Sequence, residues 1–278
     1  APKAKSATPS EDEFVLRYQM QPGETLIYEV THVGKTKTRV SGEEETSNFH
    51  TVSHRRFDVN SSEDEKFTFD HVIAHVEMTQ QTGDADELRW DSESGEEAPS
   101  MFKQVASQIG ETLATIQINP RGQQVEREDF GGSKANLGMG ELTLAFPDEP
   151  VSLGGSWSIP REIKVRTPEG EVKEIKIQER YTLKTVKTGV ATIEVRSEPI
   201  TPIFEESIKA QVVQQLSDGK IRFDIDAGQM LSKELSWDET VVGFQGANSL
   251  MEYRARMTER LVNDESEVAL FGPASSRR

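Results

Sequence analysis

The sequence predicts a β-rich α+β fold: a duplicated, curved antiparallel β-sheet, half-barrel-like, with one helix per repeat. Three observations carry this. Apolar and polar residues alternate with period two through most of the chain. In Glu171–Lys184, for example, Ile175, Ile177, Tyr181 and Leu183 hold one parity and Lys176, Gln178, Arg180 and Lys184 the other. No strand-like run alternates with a helix in the manner of a βαβ unit, which makes the sheet antiparallel. Only two stretches show helical spacing, and each stands before a hairpin.

In chain order, the first ten residues (APKAKSATPS) offer nothing to bury, and residues 1–13 are expected to be disordered. Such a start remains when a secretory signal has been removed, or when a chain has been trimmed for expression. The former places the protein outside the cytoplasm, periplasmic or secreted. Strands are expected at Thr25–Val33, Asn48–Val59 and Lys66–Met78, the last two forming a hairpin about the turn Asn60–Glu65. Ser100–Ile109 sets Met101, Phe102, Val105, Ala106 and Ile109 at helical spacing, with Ser100 able to cap and Gly110 able to stop it. Strand Thr112–Asn119 completes the first repeat, residues 14–130, and a Gly-rich stretch, Gly131–Gly140, opens the junction 131–146. The second repeat, 147–262, carries strands Glu171–Lys184 and Val190–Val195 around Lys187-Thr188-Gly189. Its helix, Thr201–Leu216, aligns Ile203, Phe204, Ile208, Val212 and Leu216, with Pro202, Glu205 and Glu206 suited to a helix start. Strands Lys220–Ile225, Met230–Trp237 and Leu250–Leu261 follow, and 263–278 loses all periodicity, as a disordered tail would.

The halves share patterns. Pro22-Gly23-Glu24-Thr25-Leu26 answers to Leu153-Gly154-Gly155-Ser156-Trp157, and Arg56-Phe57-Asp58-Val59 to Arg180-Tyr181-Thr182-Leu183. The run IQINPRGQ over Ile116–Gln123 resembles FDIDAGQ over Phe223–Gln229 with one residue deleted. Half a sheet with a bare apolar face is unstable alone. Two copies are therefore expected to cover each other or continue as one curved sheet, with the helices over its concave face.

Composition narrows the function. Of 278 residues, 48 are acidic and 32 basic, a net charge of −16, which argues against nucleic acid or an anionic membrane as partner. No apolar run approaches the ~18 residues of a transmembrane segment. There is no cysteine, which excludes disulfides and thiol chemistry.

Three runs carry a resemblance: Leu16-Arg17-Tyr18 with PGETLIYEV over Pro22–Val30, FPDEPVSLGGSW over Phe146–Trp157, and GKIRFDIDAG over Gly219–Gly228. Together they resemble an uncharacterised family of exported bacterial proteins, frequent in planctomycete-type bacteria and described as a domain of unknown function. The resemblance spans most of the folded chain and rests on turn glycines and strand aromatics. It implies the fold and export, and it assigns no activity and no site residue. At the level of fold alone, a curved antiparallel sheet with helices over its mouth is similar to periplasmic lipoprotein-carrier-like proteins.

Catalytic motifs are missing. Gly154-Gly155-Ser156-Trp157-Ser158 lacks the glycine that follows the serine of a nucleophile elbow. There is no phosphate loop, no His-Glu-x-x-His and no Gly-x-Gly-x-x-Gly. No enzyme activity and no cofactor are therefore expected. The histidines offer a metal reading. His50 and His54 are four apart, as are His71 and His75, which in regular strands means a shared face. About the turn Asn60–Glu65, His50 would oppose His75 and His54 would oppose His71. His50, His75 and Glu77 would then present two imidazoles and a carboxylate, a set suited to zinc, copper or iron. The plainer reading is imidazoles on a wet strand face that bind nothing. Acidic runs such as Glu43–Glu45 and Glu63–Glu65 fall at expected turns and lack the spacing of a calcium loop.

The helical stripes Met101, Phe102, Val105 and Ile109, and Phe204, Ile208, Val212 and Leu216, either pack onto the sheet or line an apolar cleft. The function expected is that of an exported, non-enzymatic binding protein holding an apolar small molecule between sheet and helices. The alternative is a cell-envelope structural or protein-interaction module, with an envelope protein as partner, and the third reading is a metal-binding protein.

Overall fold

The computed structural model describes residues 13–130, 143–262 and 270–273. The expectations for residues 1–12, for the Gly131–Gly140 hinge and for most of 263–278 lie outside the described residues. The first half contains β1 (Glu13–Phe14), β2 (Thr25–Val40), β3 (Glu43–Glu63), β4 (Lys66–Thr82), β5 (Leu88–Asp91), α1 (Lys103–Ala106), β6 (Thr112–Ile118) and β7 (Gln124–Asp129). The second contains β8 (Val151–Ser152), β9 (Ser156–Arg166), β10 (Val172–Lys187), β11 (Val190–Pro199), α2 (Glu206–Val212), a 3-10 turn (Val213–Gln215), β12 (Asp218–Asp224), β13 (Gln229–Val242) and β14 (Ser249–Leu261).

Twelve strands form one antiparallel sheet in the order β7-β6-β4-β3-β2-β14-β13-β12-β11-β10-β9, with β5 paired to β4 beside β6. The sheet is β-rich architecture of the expected kind, open rather than closed. The first half runs β2, β3–β4, β5, α1, β6–β7 and the second β9, β10–β11, α2, β12–β13, so the first carries a strand, β5, ahead of its helix that has no counterpart among the described residues of the second. Strand β14 stands outside that succession and joins the halves by pairing with β13 on one side and β2 on the other.

Both helices are shorter than their apolar spacing predicts. Strand pairing draws Ile109 out of helical geometry into a bridge with Ile73, which limits α1 to four residues. The second helix starts at Glu206, because Glu205 has an extended backbone, and tightens into the 3-10 turn after Val212.

The β3–β4 register differs from expectation. The turn is the two residues Asp64-Glu65, both at positive φ, and not the six residues Asn60–Glu65. His54 consequently faces His75, His50 faces Thr79, and His71 faces Phe57. A bulge at Ala74 then moves His71 and His75 to opposite faces, because an extra residue breaks the period of two. Non-glycine residues pay for left-handed backbone, so Glu65→Gly is expected to stabilise the protein by about 0.5–1 kcal/mol. A urea midpoint that falls in this variant would contradict the two-residue turn.

One face of the sheet becomes the interior, and a single apolar cluster takes residues from both halves, among them Tyr28, Phe57, Phe69, Tyr181, Ile193 and Phe223. Two extended segments run across that face. In the first, Tyr18 N–H donates to Pro120 O and Gln19 N–H to Gly228 O, which ties the β6–β7 turn to the β12–β13 turn. Gly122 and Gly228 both have positive φ, and a Cβ on either would collide with this segment. The second segment, 143–150, buries Leu144 and Phe146, and Leu144 N–H donates to the Tyr18 hydroxyl at 2.9 Å. These segments cover the end of the sheet where β2 begins. At the other end α2 lies between β9–β10 and β13. Ile208 and Val212 pack on Ile163, Val165, Ile175 and Ile177, while Ala210 and Val213 meet Val241 and Met251.

Candidate functional site

Among the described residues, a space is left between segment 143–150 and the 3-10 turn. A cavity of about 260 Å³ is bounded by β9–β14 and β2. Tyr181, Val195, Ile221, Met230, Leu235, Tyr253 and Met257 supply its apolar wall, Leu144 closes one end, and Gln214, Gln215 and Ser217 close the other. The strand alternation places these side chains, since 253 and 257 of β14 share the parity that faces inward. The size falls just below the roughly 300–1,000 Å³ typical of drug-sized ligand sites, which suits a small ligand.

Polar groups converge on this chamber. At its rim Arg161 pairs with Glu179, which also accepts the Tyr181 hydroxyl; burial and the Glu179 charge hold that phenol well above its ordinary range. On its floor are Lys233, His32 and Trp237. Behind Lys233 lies Glu259, 1% exposed, with a carboxylate oxygen 3.9 Å from Lys233 Nζ. The Glu259 charge also acts on the guanidinium of Arg55, whose pKa burial lowers and Glu259 raises. Arg55 is 0% exposed, and its three guanidinium nitrogens have no hydrogen-bond partner. The same holds for both Glu259 carboxylate oxygens, His32 Nε2 and Trp237 Nε1. His32 is kept neutral, its pKa lowered by burial and by Arg55.

The outer face carries a second polar group. His75 Nε2–H donates to Asp91 Oδ1 at 2.9 Å, and the Nδ1 atoms of His75 and His54 lie 3.3 Å apart. Assigning Nε2–H to His75 makes His54 Nδ1–H the donor to His75 Nδ1. His54 Nε2 then faces Glu29 at 3.9 Å, and Glu29 is paired with Arg260. Phe271 covers the pair, stacked on His54 with centroids 3.8 Å apart, and is buried against Ile27, Val262 and Ala74. Phe271 falls within the stretch expected to be a disordered tail; its ring is fixed because Ile27 leaves an apolar spot on the outer face. Burial, with the neighbouring His75, pushes His54 down to about 4.

The metal set predicted from sequence is not assembled. His50 is an exposed residue opposite Thr79, Glu77 pairs with Arg89, and His75 is engaged by His54 and Asp91. Among the described residues no group of three or more His, Asp and Glu side chains could hold a metal ion. The predicted ligand-binding stripe also divides. Phe102, Ile208 and Val212 are buried in packing, Val105, Ile109 and Leu216 are half-buried, Met101 is exposed, and Phe204 is 90% exposed. None of the eight lines the cavity. Its polar floor was missed, although the signal exists. Lys233 shares the parity of Leu231, Leu235 and Trp237, and Glu259 that of Met257 and Leu261, so each is a charge where the alternation calls for an apolar side chain.

The fold and the chamber define an antiparallel β protein with one open twelve-stranded sheet, a small two-stranded sheet of β1 and β8, and an internal cavity. Residues 123–230 match a family described as "Family of unknown function (DUF6263)". No curated protein matches the sequence. A solved structure described as "Lipid-protein interactions in lipovitellin" is 10% identical, with a TM-score of 0.42, over 88% of this chain and 26% of that one. This chain thus spans about a quarter of the lipovitellin chain. The open-gate secretin of the Salmonella SPI-1 type III secretion injectisome is 8% identical, with a TM-score of 0.18, over 91% of this chain and 63% of that one.

Proposed function

We propose that this chain is a non-enzymatic binding protein that holds a small apolar molecule in the cavity between the sheet and the 3-10 turn. The chamber itself carries the reading: a well-packed interior closes voids of this size unless something occupies them, since each unfilled volume forfeits dispersion contacts. The polar groups of the molecule also fit binding better than catalysis. Ser156 is bonded to Thr182 on an exposed strand, and the Asp91–His75–His54 hydrogen-bond chain ends at His54, whose Nε2 faces the Glu29 carboxylate and no hydroxyl nucleophile. Pairing through the sheet edges is discouraged by their chemistry. Strand β7 is exposed and charged, and β9 carries Pro160 while the Gln211 amide takes both backbone groups of Arg166.

The test uses a neutral apolar fluorophore, N-phenyl-1-naphthylamine. Saturable one-to-one binding is expected, and Val195→Phe, which fills the cavity, is expected to weaken it about tenfold or more at unchanged melting temperature. Absence of saturable binding, or equal affinity in the filled variant, overturns the assignment.

A further inference from the structure

We propose that the molecule held in the cavity is a neutral apolar alcohol, one hydroxyl group on a single hydrocarbon chain, with the hydroxyl seated between Trp237 Nε1–H and His32 Nε2. This rests on the cavity being a binding site and specifies what enters it.

The corner that receives the hydroxyl is built by three neighbouring strands. His32 of β2 stands opposite Met257 of β14, and Trp237 of β13 stands opposite Ala255, which in turn faces Gly34. Two small residues in the row of Trp237 leave room for large rings. Phe49 takes the space over Gly34, where a Cβ would collide with it. His32 lies against both neighbours, edge-on to Phe49 with centroids 4.8 Å apart and tilted against Trp237 at 5.8 Å. Aromatic packing therefore fixes the imidazole in place without giving its Nε2 a hydrogen-bond partner.

Trp237 Nε1 and His32 Nε2 are both buried and unpartnered among the described residues, and both residues line the chamber. Buried polar atoms are nearly always paired in native proteins, and a ligand atom is one of the few explanations for two that are not. Indole N–H only donates. The His32 imidazole is neutral, since burial and Arg55 lower its pKa, and its Nε2 accepts or donates according to tautomer. A hydroxyl serves both groups in either tautomer, because one oxygen accepts and donates. A carbonyl serves both only when Nε2 carries the proton. Water could serve the pair too, but it leaves the apolar wall of Tyr181, Val195, Ile221 and Met257 without dispersion contacts, whereas an alcohol covers that wall with its chain. The charged groups bordering the chamber are already engaged, Arg161 by Glu179 and Lys233 by Glu259 at 3.9 Å, so the ligand needs no charge of its own. The volume of about 260 Å³ suits one short chain.

The experiment is displacement of N-phenyl-1-naphthylamine from the full chain by 1-octanol, 2-octanone, octanoate and 1-chlorooctane. 1-Octanol is expected to compete about fivefold or more better than 2-octanone and octanoate. Trp237→Phe and His32→Leu are each expected to weaken 1-octanol about fivefold or more and to leave 1-chlorooctane unchanged. 1-Chlorooctane makes no strong hydrogen bond, so it reports in the same variants that the chamber is intact. With the fluorophore bound, a loss of 1-octanol no greater than that of 1-chlorooctane overturns the hydroxyl assignment and leaves the cavity reading standing. Octanoate or 2-octanone competing better than 1-octanol overturns it as well, the first in favour of an anion and the second in favour of a carbonyl. A fluorophore that never binds removes both readings.

Discussion

Lowering the pH from 7 to 4 is expected to remove on the order of 5 kcal/mol of stability through His54 and His71 alone, shared about evenly. Both are held neutral in the fold. His71 is pushed down to about 3, by burial first and then by Arg55 and Arg127, and its ring lies against Phe57 with Nε2 unpartnered. His54 is pushed down to about 4 by burial and His75, with Glu29 opposing and Arg260 adding to the shift. The folded-state values lie below the unfolded value of about 6.5, so the unfolded chain binds protons first. Stability is therefore unaffected by these groups above pH 6.5. It is lost as pH falls, until about pH 4 for His54 and about pH 3 for His71. The loss is a large part of the 5–15 kcal/mol typical of a folded domain. Urea titrations at pH 7, 5 and 4 measure it, and His71→Leu isolates one share, since leucine fills the site without titrating. A wild type and a His71→Leu variant with the same pH slope would show that the buried imidazole plays no such part.

This sensitivity could not be read from the sequence, and the reason is local. The spacing of His71 and His75 predicts a common face, and a single extra residue, Ala74, puts one inside and one outside. Bulges leave no mark on alternation that a neighbouring turn could not equally explain. The strand positions were legible because period-two burial is enforced along every inward face, as in Tyr253, Ala255 and Met257. The hairpin register was not, because Asp64 and Glu65 carry none of the glycine or asparagine that usually announces a two-residue turn. The helical stripes were visible too, but their role was not. Ile208 and Val212 meet isoleucines and valines from β9 and β10 that lie more than thirty residues away in sequence, and only the folded sheet shows that this contact is complete. The void lies one turn further on, beneath Gln214 and Gln215, where side chains are polar and the apolar pattern has stopped.

The buried charges predict an asymmetry between substitutions that remove one charge each. Glu259→Gln keeps the side-chain volume and removes the buried carboxylate that faces Lys233 at 3.9 Å and acts on the Arg55 guanidinium, an expected loss of about 3–5 kcal/mol. Lys233→Met removes the ammonium while Arg55 still faces Glu259, and methionine preserves the aliphatic stem against the cavity wall. Its expected cost is below about 1 kcal/mol, because a hydrophobic replacement of a partly buried ammonium removes its desolvation cost together with its charge. Counting contacts alone gives the opposite ranking, since Lys233 has the larger stem and the ion-pair contact at 3.9 Å is shared by both residues. Urea unfolding of the two variants separates these views. Adding Lys233→Met to Glu259→Gln should recover part of the loss, since it removes one of the cations that Glu259 faces; the double-mutant cycle then reports a coupling well outside the roughly 0.3–0.5 kcal/mol of independent sites. Equal destabilisation by the two single substitutions, with no recovery in the double, would mean that Glu259 and Lys233 do not act on each other across the floor of the cavity.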